Sequence, residues 1–140
     1  MIHINCTLIS TCYYVIDASA LLAVANNEPY TPELPKLFAN SIITTFNLAE
    51  AVSKMIIQDN ADPASTWSYL GNFIQNHYPL DDELSYEAIM ITKLTKPLGL
   101  SLGDRYCLAL GKILACPVYT ADKAWTKLEK SLNIKINLIR

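Results

Sequence analysis

YYVIDASALLAV, residues 13–24, joins a short strand-like run to an apolar helical run through a single aspartate, Asp17. Aromatic and β-branched residues in Tyr13–Ile16 favour a strand, and the Ala/Leu-rich run after it favours a helix. Asp is a preferred helix N-cap, so Asp17 has an ordinary explanation. It also stands just beyond the carboxyl end of a strand, where open α/β sheets bind their ligands. The rest of the chain decides between the two.

The same alternation recurs downstream. SIITT (41–45) reads as a second strand before the long helix FNLAEAVSKMIIQDN (46–60). EPYTPELPKLFAN (28–40) holds a turn and a short helix, with Thr31 as N-cap before Pro32. DPASTWSYLGNFIQNH (62–77) starts a helix with Asp62 as cap and Pro63 in its first turn, and YPL (78–80) is a third strand. DELSYEAIMITKLTK (82–96) and SLGDRYCLALGKILA (101–115) read as helices, the second opened by Ser101 and Asp104 at capping-box spacing. PVYT (117–120) is a fourth strand, DKAWTKLEKS (122–131) a helix and IKINLI (134–139) a fifth strand. Short apolar strands alternating with helices imply an α/β protein with a mostly parallel five-stranded sheet covered on both faces, a three-layer α/β/α sandwich.

At 140 residues the chain is expected to form one domain, with residues 1–12 as an N-terminal extension and 13–140 as the folded unit. Its mean hydropathy is positive, at +0.20, yet no apolar stretch reaches the ~18 residues of a membrane span. The first residues lack a basic segment and a small-residue cleavage site, so no secretory signal is expected. Cys6, Cys12, Cys107 and Cys116 show no C-x-x-C spacing; Cys107 and Cys116 read as buried thiols of a reducing, cytoplasmic compartment. His3 and His77 lie outside the strand–helix seams and receive no role.

The net charge of −2 conceals an asymmetry. Residues 1–92 hold ten acids and two bases, residues 93–140 three acids and nine bases. A local basic face is therefore possible despite the acidic balance, though solvated helix faces account for such a bias equally well.

Four acids fall at seams. Asp17 follows the first strand, Asp122 follows the fourth, Glu50 lies early in the helix after the second, and Asp104 lies in the first turn of the helix before the fourth. Singly, each has a bland role: Asp17 and Asp122 as caps, Asp104 in the capping box, Glu50 paired with Lys54 at i, i+4. Together they would repel one another in one cleft, and a divalent cation resolves that repulsion. Oxygen donors without convergent Cys or His point to Mg2+ or Mn2+.

VIDASALLAV, FNLAEAV, LSLGDRYCLAL and PVYTADKAW resemble, in order, the four acidic motifs of PIN domains, and most closely VapC, the ribonuclease toxin of type II (VapBC) toxin–antitoxin pairs. The resemblance runs from about residue 13 onward; the twelve residues before it depart from the family pattern. It implies a PIN fold and an Mg2+-dependent endoribonuclease leaving 5′-phosphate and 3′-hydroxyl ends, with Asp17, Glu50, Asp104 and Asp122 as catalytic metal ligands. It also implies neutralisation by a VapB-like antitoxin, homodimers and larger toxin–antitoxin assemblies, with no membrane attachment.

Around these acids, Ser19 and Thr120 are candidates to bond carboxylate oxygens or a metal-bound water, Ser19 having a plain first-turn role as its alternative, and Asn47 either caps its helix or touches substrate. Lys123, Lys127 and Lys130 fall at i, i+4 and i+7 on one expected helix face that starts beside Asp122, and with Arg105 and Lys112 they are candidate RNA contacts. Apolar residues of LLAVAN and WSYLGNFI, with Tyr69 and Phe73 at i, i+4, either line a groove for a partner helix or belong to the core. A phospho-receiver domain lacks support, because Asp17 has no paired acid and the last strand no following lysine loop. The remaining alternative is a non-catalytic PIN-like module that binds RNA or protein.

Overall fold

The strands of the computed structural model, which describes residues 13–140, are short and all parallel. They are β1 (Tyr14–Ile16), β2 (Ser41–Thr44), β3 (Asn76–Tyr78), β4 (Val118–Thr120) and β5 (Ile136–Leu138), in the order β3-β2-β1-β4-β5. The chain builds outward from β1 through β2 to β3, then crosses to the other side of β1 for β4 and β5. The strand order therefore reverses between β1 and β4.

Adjacent residues of one strand serve opposite layers. Val15 and Ile42 join the core under α5 (Asp82–Met90) and α7 (Leu102–Leu114), with Leu84, Leu108 and Trp125. Ile16 and Ile43 join the core under α1 (Ala18–Ala25), α3 (Thr45–Asp59) and α4 (Pro63–Gly71), with Leu21, Leu48 and Leu70. Burial on both faces is why these strands carry consecutive apolar residues rather than alternating ones. The arrangement is the expected three-layer sandwich.

Caps set the helix starts. Asp62 accepts from Ser65 N at 2.9 Å, with Pro63 in the first turn. Ser101 and Asp104 form a reciprocal capping box on α7. At the far end of α7, Ala115 takes a left-handed conformation (φ 53°), and Gly111 allows Val118 of β4 to approach, since a Cβ there would stand 2.5 Å from Val118 Cγ2. Cys107 and Cys116 are buried thiols; Cys6, Cys12 and His3, like the extension assigned to residues 1–12, lie outside the described residues.

Several local expectations are corrected. The short helix α2 is Leu34–Leu37, not capped by Thr31. Thr31 N instead donates to Ile139 O at 2.6 Å, tying the turn to the end of β5. β3 ends at Tyr78 because Pro79 has no N–H for a ladder bond. The helix expected over 82–96 breaks at buried Ile91, and a short α6 (Thr92–Thr95) follows; Thr95 Oγ1 donates back to Ile91 O at 2.8 Å. After Asp122 the chain forms a 3-10 stretch, Lys123–Leu128, before the short α8 (Glu129–Leu132). Trp125 and Leu128 are both buried, and an i, i+3 pair aligns on one edge at three residues per turn.

Candidate metal centre

All four seam acids line one cavity of about 260 Å³ at the carboxyl ends of β1 and β4, where the strand order reverses. Ser19, Asn47, Lys54 and Trp125 share its wall. Each acid arrives from a different segment.

Asp17 is both a cap and a member of the cavity. Its Oδ1 accepts from Ser19 N, from Ser19 Oγ at 2.7 Å and from Ala20 N at 3.2 Å, opening α1. Its Oδ2 accepts from Thr120 Oγ1 at 2.6 Å. The side chain is nearly fully buried, and burial pushes its carboxyl above the ordinary value despite these four bonds.

Two hydroxyls stitch the β1 and β4 seams together. Thr120 Oγ1 accepts from Asp122 N at 3.1 Å while donating to Asp17, and Ser19 Oγ accepts from Ala121 N at 2.9 Å. Asp122 Oδ1 accepts from Ala124 N at 2.9 Å. Asp104 Oδ2 accepts from Ser101 N at 2.9 Å. Each of these two caps uses one carboxylate oxygen.

Glu50 is positioned by a chain of contacts from β2. Thr44, not Asn47, caps α3: Asn47 N donates to Thr44 Oγ1 at 2.9 Å, and that hydroxyl donates to Asn47 Oδ1 at 2.6 Å. Asn47 Nδ2 then donates to Glu50 Oε1 at 2.8 Å and to Gly103 O at 3.0 Å. Asn47 thus holds Glu50 and couples α3 to α7. Burial raises the Glu50 carboxyl, with the charges of Asp104 and Asp17 adding to it, while the Asn47 bond and Lys54 oppose. Burial, followed by Asp17, Asp104 and Glu50, also raises the nearby Cys107 thiol well above its usual value.

The donor set suits a hard divalent cation. Among the described residues, the acidic side chains of the cavity face one basic residue, Lys54, and no imidazole or thiol lines the wall. Gly103 leaves the space that the Glu50 carboxylate occupies, since a Cβ there would lie 2.5 Å from both of its oxygens. Among the described residues, no three His, Cys, Asp or Glu side chains stand close enough together to hold a metal ion as they are placed.

The basic residues distribute differently. Lys54, read from the sequence only as a partner of Glu50, lines the cavity. Arg105 is half-buried and its Nη1 donates to Leu100 O at 3.1 Å. Lys112 pairs with Glu87 at 3.3 Å. It lies eight residues beyond Asp104 on α7, roughly 12 Å along the axis. Lys123 follows Asp122, but the 3-10 winding turns Lys127 about 120° away from it, so they do not share the α-helical face expected of them. His77 lies on β3 against Gly71, away from the cavity.

No family model matches the sequence, and no curated protein matches it. Solved structures do. A chain of VapBC2 from Rickettsia felis, in a complex bound to a DNA fragment from their promoter, superposes with a TM-score of 0.66 at 14% identity, covering 91% of this chain and 99% of that one. A chain of VapBC-1 from nontypeable Haemophilus influenzae gives 0.63 at 11% identity, covering 89% and 96%. A chain of VapBC-5 from Mycobacterium tuberculosis, a member of the VapBC family of toxin–antitoxin systems, gives 0.56 at 17%, covering 92% and 98%. The fold is the PIN-domain fold. Within this PIN fold, the acid cavity occupies the position that open parallel sheets reserve for ligands.

Proposed function

We propose that this chain is a toxin of the VapC type, an Mg2+- or Mn2+-dependent endoribonuclease that is neutralised by a cognate VapB-like antitoxin and acts in the cytoplasm. The observation that carries the reading is the convergence of Asp17, Glu50, Asp104 and Asp122 on one cavity, with Glu50 raised partly by the charges of two of the others. Repelling carboxylates held together by fold contacts are explained by a cation that binds among them.

Asp17, Glu50, Asp104 and Asp122 would hold the cation. A divalent ion there would supply an acidified water and would offset the charge that builds on a phosphodiester under attack. The chain's own residues do the positioning. Thr120 and Ser19 fix the two oxygens of Asp17, Asn47 fixes Glu50, and the capping box fixes Asp104. Lys54, which lines the cavity, would meet a backbone phosphate.

For partners, a groove of about 430 Å³ lies between α1 and the end of α4, lined by Val24, Phe38 and Phe73 among others. Tyr69 is 49% exposed and meets the groove residue Phe73 edge-on at 5.2 Å, so it lies at the surface beside the groove rather than in the core. An amphipathic antitoxin helix fits such a groove. Tyr86, Ile89 and Met90 are exposed on α5, an apolar face suited to the expected homodimer. Among the described residues no helix is long and apolar enough to cross a membrane.

The decisive experiment incubates purified, antitoxin-free chain with host RNA and Mg2+ or Mn2+. Cleavage is expected, lost on chelation and in Asp104→Asn. Intact RNA with every divalent ion tried, from a folded chain, would favour the non-catalytic binding module instead.

A further inference from the structure

On α3, Phe46, Ala49, Glu50, Ser53 and Lys54 recur at three- and four-residue steps and line one open depression of about 380 Å³. Glu50 and Lys54 also line the acid cavity, so the two spaces adjoin across that pair of side chains. Their chemistry differs. The depression is mainly apolar at the Phe46 and Ala49 end and carries a cation at its rim. The Phe46 ring is half-buried and stands against Tyr106, centroids 5.2 Å apart and planes tilted by 30°. Tyr106 is itself anchored, its hydroxyl 3.1 Å from Ser85 Oγ. The result is a pre-positioned aromatic platform beside a candidate phosphodiester-cleaving centre.

We propose that this depression receives the nucleobase adjoining the phosphate to be cut, stacked on Phe46, while Lys54 meets the phosphate between that nucleotide and the next. The inference rests on the nuclease reading above and adds how the substrate is held. Stacking on an aromatic face tolerates every base, so the subsite selects an unpaired nucleotide rather than a sequence. A cation at the junction and an aromatic ring beyond it match a single strand, whose charge runs along the backbone and whose bases are free to turn outward.

The test titrates a short fluorescent single-stranded RNA onto the full chain carrying Asp17→Asn, which removes cleavage and one cavity charge. Adding Phe46→Leu is expected to weaken binding about five- to hundredfold, and Phe46→Tyr to retain it. An abasic nucleotide at the stacked position is expected to weaken binding to the chain that keeps Phe46 and to leave the Phe46→Leu chain unaffected. Should Phe46→Leu alter the melting profile, Ala49→Gln replaces it: Ala49 is exposed, and the longer side chain fills the depression. Equal affinity with and without Phe46→Leu, while the wild-type chain still cuts RNA, overturns the subsite and leaves the nuclease reading standing. A change in oligomeric state in Phe46→Leu with unchanged RNA affinity assigns the depression to a second copy and also overturns it. Absence of both RNA binding and RNA cleavage removes the nuclease reading and the subsite with it.

Discussion

Gly103 and Glu50 are in contact across two helices: a Cβ at position 103 would lie 2.5 Å from both Glu50 carboxylate oxygens. The contact makes a glycine in the first turn of α7 a condition of where a carboxylate on α3 can rest. Gly103→Ala should leave the fold intact, because the displaced group is the end of a flexible side chain and Ala improves helix propensity by up to ~1 kcal/mol. Activity should fall by about a hundredfold, the order expected when a catalytic group moves by about an ångström. Thermal melting and RNA cleavage measured side by side check this; parallel losses of both would show a packing effect instead.

Thr120→Val probes the bond that joins the two strand ends. The substitution keeps the shape and removes the hydroxyl that donates to Asp17 Oδ2 and accepts from Asp122 N. One oxygen of a buried carboxylate loses its described partner, which should destabilise the chain by ~1–3 kcal/mol in denaturant unfolding without added metal. A loss under ~0.5 kcal/mol would mean that water replaces the hydroxyl readily.

The acids should also give stability a characteristic pH dependence. Burial raises Asp17, and burial together with Asp104 and Asp17 raises Glu50. Unfolded, both groups ionise near pH 4. Just above that pH the folded chain retains protons that the unfolded chain has lost, so their stabilising effect is present at low pH and lost as pH rises through the folded values. Glu50→Gln removes this effect for one group. In a chelating buffer, its melting temperature should exceed that of wild type by a margin that grows from about pH 4 toward neutrality. Added Mg2+ should raise the wild type more than the variant. A constant margin across pH would sink the account.

Ala115 offers a test away from the cavity. It ends α7 with φ 53°, a conformation that disfavours a side chain, and it is exposed. Ala115→Gly should stabilise the chain by about 0.5–1 kcal/mol with unchanged cleavage. A destabilised variant would show that the flexibility glycine adds to the unfolded chain outweighs the relief of strain.

The parts of the site written in local chemistry are legible in the sequence. Asp17 and Asp122 follow runs of strand formers, and Ser101-x-x-Asp104 is a capping box wherever it opens a helix. Thr120 and Ser19 are legible as neighbours of those acids, though not the cross-strand partners of their hydroxyls. Asn47 reads as a cap because Thr44 and Asn47 are both good capping residues, and only the end of β2 decides between them. Lys54 is hidden because helix spacing explains it as a partner of Glu50, whereas its place on the cavity wall depends on α3 lying beside α7. The lysines after Asp122 depart from their expected alignment because the burial of Trp125 and Leu128 overrides α-helical periodicity. Short strands shift readily, and Pro79 fixes the end of β3 more firmly than its flanking pattern suggests.

The bond from Thr120 to Asp17 spans 103 positions of the chain. During synthesis Asp17, Glu50 and Asp104 all exist before β4 does. The hydroxyl that satisfies Asp17 and the fourth acid, Asp122, then arrive within three residues of each other. Chain order therefore means that the four-acid cavity is complete only once β4 has been made and pairs with β1. A prematurely terminated copy ending before that strand carries three of the acids and lacks the assembled centre.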